Sequence, residues 1–272
     1  MPNRSPVALP RPLSIGVTAN LMLAQMEYDV ASGAGQAKHD TATALGLGAT
    51  VGLRWTLAGG VSLGAAWESR SSFQDFSFHV PARPDPFSPG STIPGGTDRL
   101  ALDQPQSVTV GASFAPWHAV LLAADVQWID WSATLGDGLP RYTSDPATTG
   151  ALPFDMGWHD QWVLKLGAQV TPVRALDLRA GWNYGKAPLD RSRAFENLAF
   201  PAVADHHLTA GAGVRAGQAL TVNVAAVYAP AASISGANAS PPPPMGGTGQ
   251  GIAAYRTEMS QLQIDLGVAY RF

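Results

Sequence analysis

SQLQIDLGVAYRF, residues 260–272, alternates without a break. Leu262, Ile264, Leu266, Val268, Tyr270 and Phe272 are apolar or aromatic. Gln261, Gln263, Asp265, Gly267, Ala269 and Arg271 between them are polar or very small. A β-strand turns successive side chains to opposite faces, so this segment has one greasy face and one polar face. An amphipathic helix would repeat its apolar positions every third or fourth residue instead.

The same period recurs upstream. Leu220, Val222, Val224, Ala226 and Tyr228 form one such set, and Leu208, Ala210, Ala212 and Val214 another. Leu176, Leu178, Ala180, Trp182 and Tyr184 follow the rule, as do Trp162, Leu164, Leu166, Ala168 and Val170. Further sets begin at Leu122, Val108, Val61, Leu45 and Leu13. There are about ten segments, each near the roughly 9–11 residues that a tilted strand needs to cross a bilayer.

Three features separate a membrane barrel from a soluble β-sandwich, which also alternates. The polar face carries Gly, Ser, Thr, Asn and Gln with isolated charges, as a lumen does, rather than a solvated Lys/Glu surface. Aromatic residues gather at segment ends: Trp55, Trp67, Phe114, Trp128, Trp162, Trp182, Tyr184, Tyr228, Tyr270 and Phe272, the placement of interfacial girdles. Connections alternate in length. Short turns near residues 58–60, 115–118, 171–175 and 216–218 interleave with long Pro- and Gly-rich segments at roughly 71–105, 135–157, 187–204 and 232–256. The expected fold is therefore all-β, an antiparallel transmembrane β-barrel read as a single domain over residues 1–272. Both ends lie on the short-turn side, which requires an even strand number. Lipid does not tolerate an open sheet edge, so these strands either close on themselves or form part of a larger barrel.

Composition narrows the function. The chain has 17 Lys+Arg against 20 Asp+Glu, a net charge of -3, so no basic excess exists for nucleic-acid binding. Only 14% of residues are charged, against about 25% in soluble domains. There is no cysteine, which excludes a disulfide scaffold, a thiolate metal site and a Cys nucleophile. No apolar run approaches the roughly 18 residues of a spanning helix. The opening MPNRSPVALPRP lacks the apolar core of a secretory signal, which conflicts with an exported barrel.

The strings LSIGVTANLMLAQMEYDV (13–30), QPQSVTVGASF (104–114), GWHDQWVLKLGAQVTP (157–172), LDLRAGWNYGKAPL (176–189), FPAVADHHLTAGAGVR (200–215) and QLQIDLGVAYRF (261–272) resemble, in order, strands of the outer-membrane long-chain fatty acid and hydrocarbon transporters. That resemblance implies a fourteen-stranded monomeric barrel, plugged by an N-terminal hatch, in the Gram-negative outer membrane. Set against it, the chain reads as roughly the C-terminal two-thirds of a family member, about ten strands without the hatch. This removes the signal-peptide conflict. The resemblance implies uptake of hydrophobic compounds, with outer-membrane lipid and lipopolysaccharide as surroundings, no cofactor and no metal.

Capture of such ligands needs exposed apolar side chains outside, which are costly unless used. Phe73, Phe76, Phe78, Phe87, Val80 and Ile93 lie in the first long segment, and Met26 and Tyr28 open the loop before it. In the family the corresponding loops form an outer groove, and Met26, Tyr28, Phe73, Phe76, Phe78 and Phe87 are the candidates for it. The alternative is that the phenylalanines only pack the loop. Within the lumen, Met22, Ile129, Val163 and Val227 are apolar residues on an otherwise polar face, suited to a hydrocarbon pocket. Arg54, Lys165 and Arg179 are candidates for a carboxylate head. With Arg70, Arg215 and Arg271 they are also candidates for a salt-bridge network with Glu68, Asp125, Asp177 and Asp265. The runs WIDW (128–131) and GWHDQW (157–162) belong at the outer rim, as girdle anchors or ligand stackers.

Other function classes fit less well. His206-His207 beside Asp205, and His159-Asp160, are the suggestive enzyme clusters, but no HExxH pattern occurs. A ten-stranded outer-membrane protease would need an acidic pair facing an Asp–His pair, and no Asp-x-Asp pair is present. A nonspecific porin would have a uniformly hydrophilic, unplugged lumen. The expected protein is not an enzyme.

Overall fold

The computed structural model describes residues 12–32, 35–85, 88–143, 156–194, 196–197, 200–217, 219–236 and 255–271. The chain opens with β1 (Leu13–Ser32), β2 (Gly35–Thr56) and β3 (Val61–Glu68). Five short strands follow: β4 (Ser72–Phe73), β5 (Phe76–Val80), β6 (Arg83–Pro84), β7 (Thr92–Ile93) and β8 (Gly96–Ala101). Then come β9 (Ser107–Trp117), β10 (Val120–Ile129), a one-turn helix α1 (Ser132–Leu135) and β11 (Arg141–Thr143). The remaining strands are β12 (Gln161–Val173), β13 (Leu176–Gly185), β14 (His206–Ala216), β15 (Leu220–Gly236) and β16 (Tyr255–Tyr270).

Ten strands form one antiparallel wall in the order β1-β2-β3-β9-β10-β12-β13-β14-β15-β16, with β4 beside β2. The register carries the facing. Val17, Val51, Trp67, Val108, Trp128 and Trp162 are successive cross-strand partners on one face. Gly16, Gly52, Ala66, Thr109, Gln127, Val163 and Gly185 run side by side on the other. A shift of one residue would move every side chain to the opposite face, so the pattern fixes the register. The apolar face is the exposed one: Val17 and Leu21 are each 75% exposed and Leu266 80%. A water-soluble protein would bury these side chains; a lipid-facing wall leaves them out. No described helix is long and apolar enough to cross a membrane. β1 and β16 end the path and are not paired with each other among the described residues.

Two sequence expectations are corrected. Met26 and Tyr28 do not start a loop: β1 continues to Ser32 and β2 begins at Gly35, with a bulge between Met26 and Tyr28. The segment 71–105 is not merely a loop either. Its β5 and β8 join β11 in a separate three-stranded sheet. That sheet has its own alternation, with Phe76, Phe78, Val80, Asp98 and Leu100 buried and Ser77, His79, Thr97 and Arg99 exposed. The prolines around FSFHV obscured a period of two that was present.

Candidate functional site

The inner face of the wall has two zones. Along the outer halves of β1 and β2 it is covered. Ala42, Ala44, Phe76, Phe78 and Leu100 form a buried cluster, with Ala24, Met26, Tyr28, Phe73, Leu102 and Tyr142 packed against it. The three-stranded sheet thus lies against the inside of the barrel mouth. Its rings make a continuous chain: Phe73 to Phe76 at 6.5 Å, Phe76 to Phe78 at 6.3 Å, and Phe78 edge-on to Tyr28 at 5.0 Å. Tyr28 stacks on His39 at 4.2 Å. At the inner end, Phe73 folds over Gly46; a Cβ there would sit 2.5 Å from the ring. The glycine is a socket for the aromatic, a cross-strand pairing that shields the bare backbone.

A second apolar cluster covers the opposite side of the mouth. Leu135, Met156, Trp158, Leu189 and Val203 are buried, with Trp131, Ala232, Ile234 and Met259 against them. Trp158 Nε1 donates to Asn197 Oδ1 at 2.5 Å, and Asn197 Nδ2 donates to the carbonyls of Met156 and Arg193, both at 2.8 Å. Leu102 packs against both clusters and joins them. Nearby, Arg70 pairs with Asp103 at 3.7 Å and donates to the Ala133 carbonyl, and Asp103 accepts the Phe73 amide at 2.9 Å. The chain therefore carries an apolar cap across its outer mouth, tied to the end of β3.

Within the first cluster lies a buried polar knot that sequence reading missed. His39 Nε2 meets Asp98 Oδ2 at 3.0 Å, both side chains 4% exposed. Tyr142 Oη donates to the same carboxylate oxygen at 2.5 Å, and Tyr28 Oη donates to Tyr142 Oη at 3.1 Å. Burial, reinforced by the bond to Asp98, pushes the Tyr142 phenol far above its ordinary value. Alternation placed His39 on the inner face; the strands that meet it there are far apart in sequence and carry no local signature.

Below the cap the lumen is open and lined by small and polar residues. A cavity of about 590 Å³ is bordered by Gly16, Gly52, Arg54, Gly64, Gly111 and Asp125, among others. A second, of about 470 Å³, borders Lys165, Gly167, Arg179, Gly181, Thr209 and Asn223. Arg54 reaches Ser62 at 3.5 Å, and Lys165 stands in register opposite Asp125 and Asn183. Arg179 donates to Gln169 at 2.8 Å and Asn223 at 3.2 Å, and pairs with Asp177 at 3.3 Å. Arg215 also reaches Asp177, which accepts from Thr171 at 2.7 Å. The expected network condenses around Asp177, while Glu68 instead accepts from Ser107 and Asp265 from Gln263.

Of the proposed outer-groove residues, Met26, Tyr28, Phe73, Phe76 and Phe78 converge on one cluster, covered rather than presented to solvent. Phe87 lies outside the described residues. Met22, Ile129, Val163 and Val227 face the lumen on four different strands and are partly buried. The tryptophan runs divide their roles: Trp128 and Trp162 pair on the lipid face, whereas Trp131 and Trp158 meet edge-on at 4.8 Å in the cap. His206 turns outward to Trp182 and Tyr184, and His207 inward, at the start of β14. Among the described residues no group of three or more His, Cys, Asp or Glu is placed to hold a metal.

A lipid-facing antiparallel wall with aromatic ends, a small-residue lumen and a folded cap over one mouth defines an integral β-barrel of the outer membrane. The chain belongs to the family described as outer membrane protein transport protein (OMPP1/FadL/TodX), which it matches over residues 8–272. Its fold is similar to the Pseudomonas putida toluene transporter TodX, with a TM-score of 0.68 at 18% identity over 95% of this chain. It is likewise similar to the Ralstonia pickettii toluene transporter TbuX, with a TM-score of 0.64 at 15% identity over 96% of this chain. A Pseudomonas aeruginosa FadL homologue gives a TM-score of 0.63 at 14% identity over 95% of this chain. The chain spans 65%, 64% and 63% of those three structures. No curated protein matches it.

Proposed function

We propose that this protein takes up hydrophobic compounds, long-chain fatty acids or hydrocarbons, across the Gram-negative outer membrane. The observation that carries the reading is the cap. The long outer segments fold into two apolar clusters joined at Leu102 across the mouth, whereas a nonspecific porin needs a hydrophilic opening. Membership of an outer-membrane transport family supports the same class, and two structural neighbours are toluene transporters.

In this reading ligand is captured at the cap by Met26, Tyr28, Phe73, Phe76 and Phe78, with Phe87 contributing from the same segment. It then passes along the lumen past Met22, Ile129, Val163 and Val227. Arg54, Lys165 and Arg179 receive a carboxylate where the ligand has one; the guanidinium and ammonium groups at the open cavities offer charge-assisted hydrogen bonds there. The protein works as a monomer surrounded by lipid and lipopolysaccharide, and the barrel catalyses no reaction. The test is uptake of radiolabelled oleate and toluene by cells lacking their own transporters, with and without the protein, beside liposome swelling in small sugars. Uptake without swelling is expected. Swelling without uptake would establish a porin instead.

A further inference from the structure

The apolar residues of the first cluster are sealed: Phe76 is 3% exposed, Phe78 0% and Ala44 0%. Any ligand that uses them must first separate the inner sheet from the wall. The bonds that span this seam are largely polar. His39 of β2 and Tyr28 of β1 meet Asp98 of β8 and Tyr142 of β11, while β5 contributes Phe78 edge-on to His39 at 5.9 Å. We propose that the three-stranded sheet β5–β8–β11 is a lid, that the four-residue knot is its releasable latch, and that an apolar ligand enters by replacing the sheet against Ala42 and Ala44.

The physical reason is an asymmetry between the two halves of the seam. Hydrogen-bonded groups regain water partners when the seam opens, so their separation is nearly an exchange. Apolar groups gain nothing from water, but a hydrophobic ligand covers them again. His39 Nδ1 is buried without a hydrogen-bond partner, so the closed position leaves a polar atom unsatisfied that opening would solvate. A buried polar cluster is moreover a poor device for stability and a suitable one for choosing between arrangements.

This rests on the transport reading, and the experiment separates the two. The chain has no cysteine, so Ala44→Cys is a clean reporter beneath the lid. Intact cells carrying the full chain are treated with a membrane-impermeant maleimide, with Ser77→Cys as the exposed control. Slow labelling at residue 44 is expected, accelerated at least tenfold by Asp98→Asn or Tyr142→Phe. The fourfold variant His39→Phe, Asp98→Leu, Tyr28→Phe, Tyr142→Phe replaces the latch with apolar packing. It should label more slowly than the parent and lose most uptake of oleate and toluene. Parent-level uptake in that variant overturns the lid. If it does not assemble, unchanged labelling in both single variants overturns it. If the parent takes up neither probe, the transport reading fails, while the labelling rates still decide whether the sheet lifts.

Discussion

Leu166 and Gly167 are one peptide apart on β12 and face opposite ways, so they test the facing of the wall with least disturbance. Leu166 is 42% exposed on the apolar face, in register with Ala124 and Trp182. Gly167 faces the lumen opposite Ala123 and Gly181, and a Cβ there would meet nothing nearer than the Ala180 carbonyl at 4.0 Å. Leu166 lies four positions along the strand from Trp162 at the outer girdle. At about 3.3 Å per residue and a tilt near 40°, that is about 10 Å along the membrane normal, close to the middle of a ~25 Å apolar band. Leu166→Arg should therefore destabilise the folded barrel by about 2–4 kcal/mol, the range for Arg at the midplane. Gly167→Arg should change stability by less than about 1 kcal/mol, because the charge enters a wet lumen. The measurement is reversible urea unfolding in phospholipid bilayers, followed by tryptophan fluorescence. Equal penalties, or a larger one at residue 167, would refute the facing and the membrane assignment with it.

Further expectations concern the cap and lumen. Trp158→Ala removes a buried ring and the donor to Asn197, so the cap should lose about 3–5 kcal/mol, read as protease cleavage in 131–158 with the barrel intact; resistance equal to the parent would contradict the packing. Gly46→Val places a side chain where the Phe73 ring lies and should destabilise by about 1–3 kcal/mol, relieved in the double variant with Phe73→Ala. Asp177→Asn removes the carboxylate shared by Arg179 and Arg215 and should destabilise by about 1–3 kcal/mol, whereas Asp265→Asn should be nearly silent. The pH sign follows from Tyr142: its folded value is raised above the unfolded 10.0, so its contribution is complete below about pH 10 and falls as alkali ionises it. Absorbance at 295 nm should show this phenol titrating after the exposed ones, and Tyr142→Phe should reduce the amplitude of that late phase.

What one chain of amino acids could say here came from its period. Polarity alternating at every second residue determined strand identity, face and register, because a one-residue slip would put Gln263 and Asp265 in hydrocarbon. Girdle positions such as Trp128 and Trp162 were legible for the same reason: they are local features of single strands. The inner sheet was half legible, since FSFHV alternates like any strand, but nothing local says which surface its buried side must find. Only the tertiary structure decided that Phe76 and Phe78 turn inward onto Ala42 and Ala44. It alone brought His39 to Asp98 and Tyr142, and Trp158 to Asn197. Those contacts join residues tens of positions apart, and their energy depends on burial and geometry that no spacing encodes.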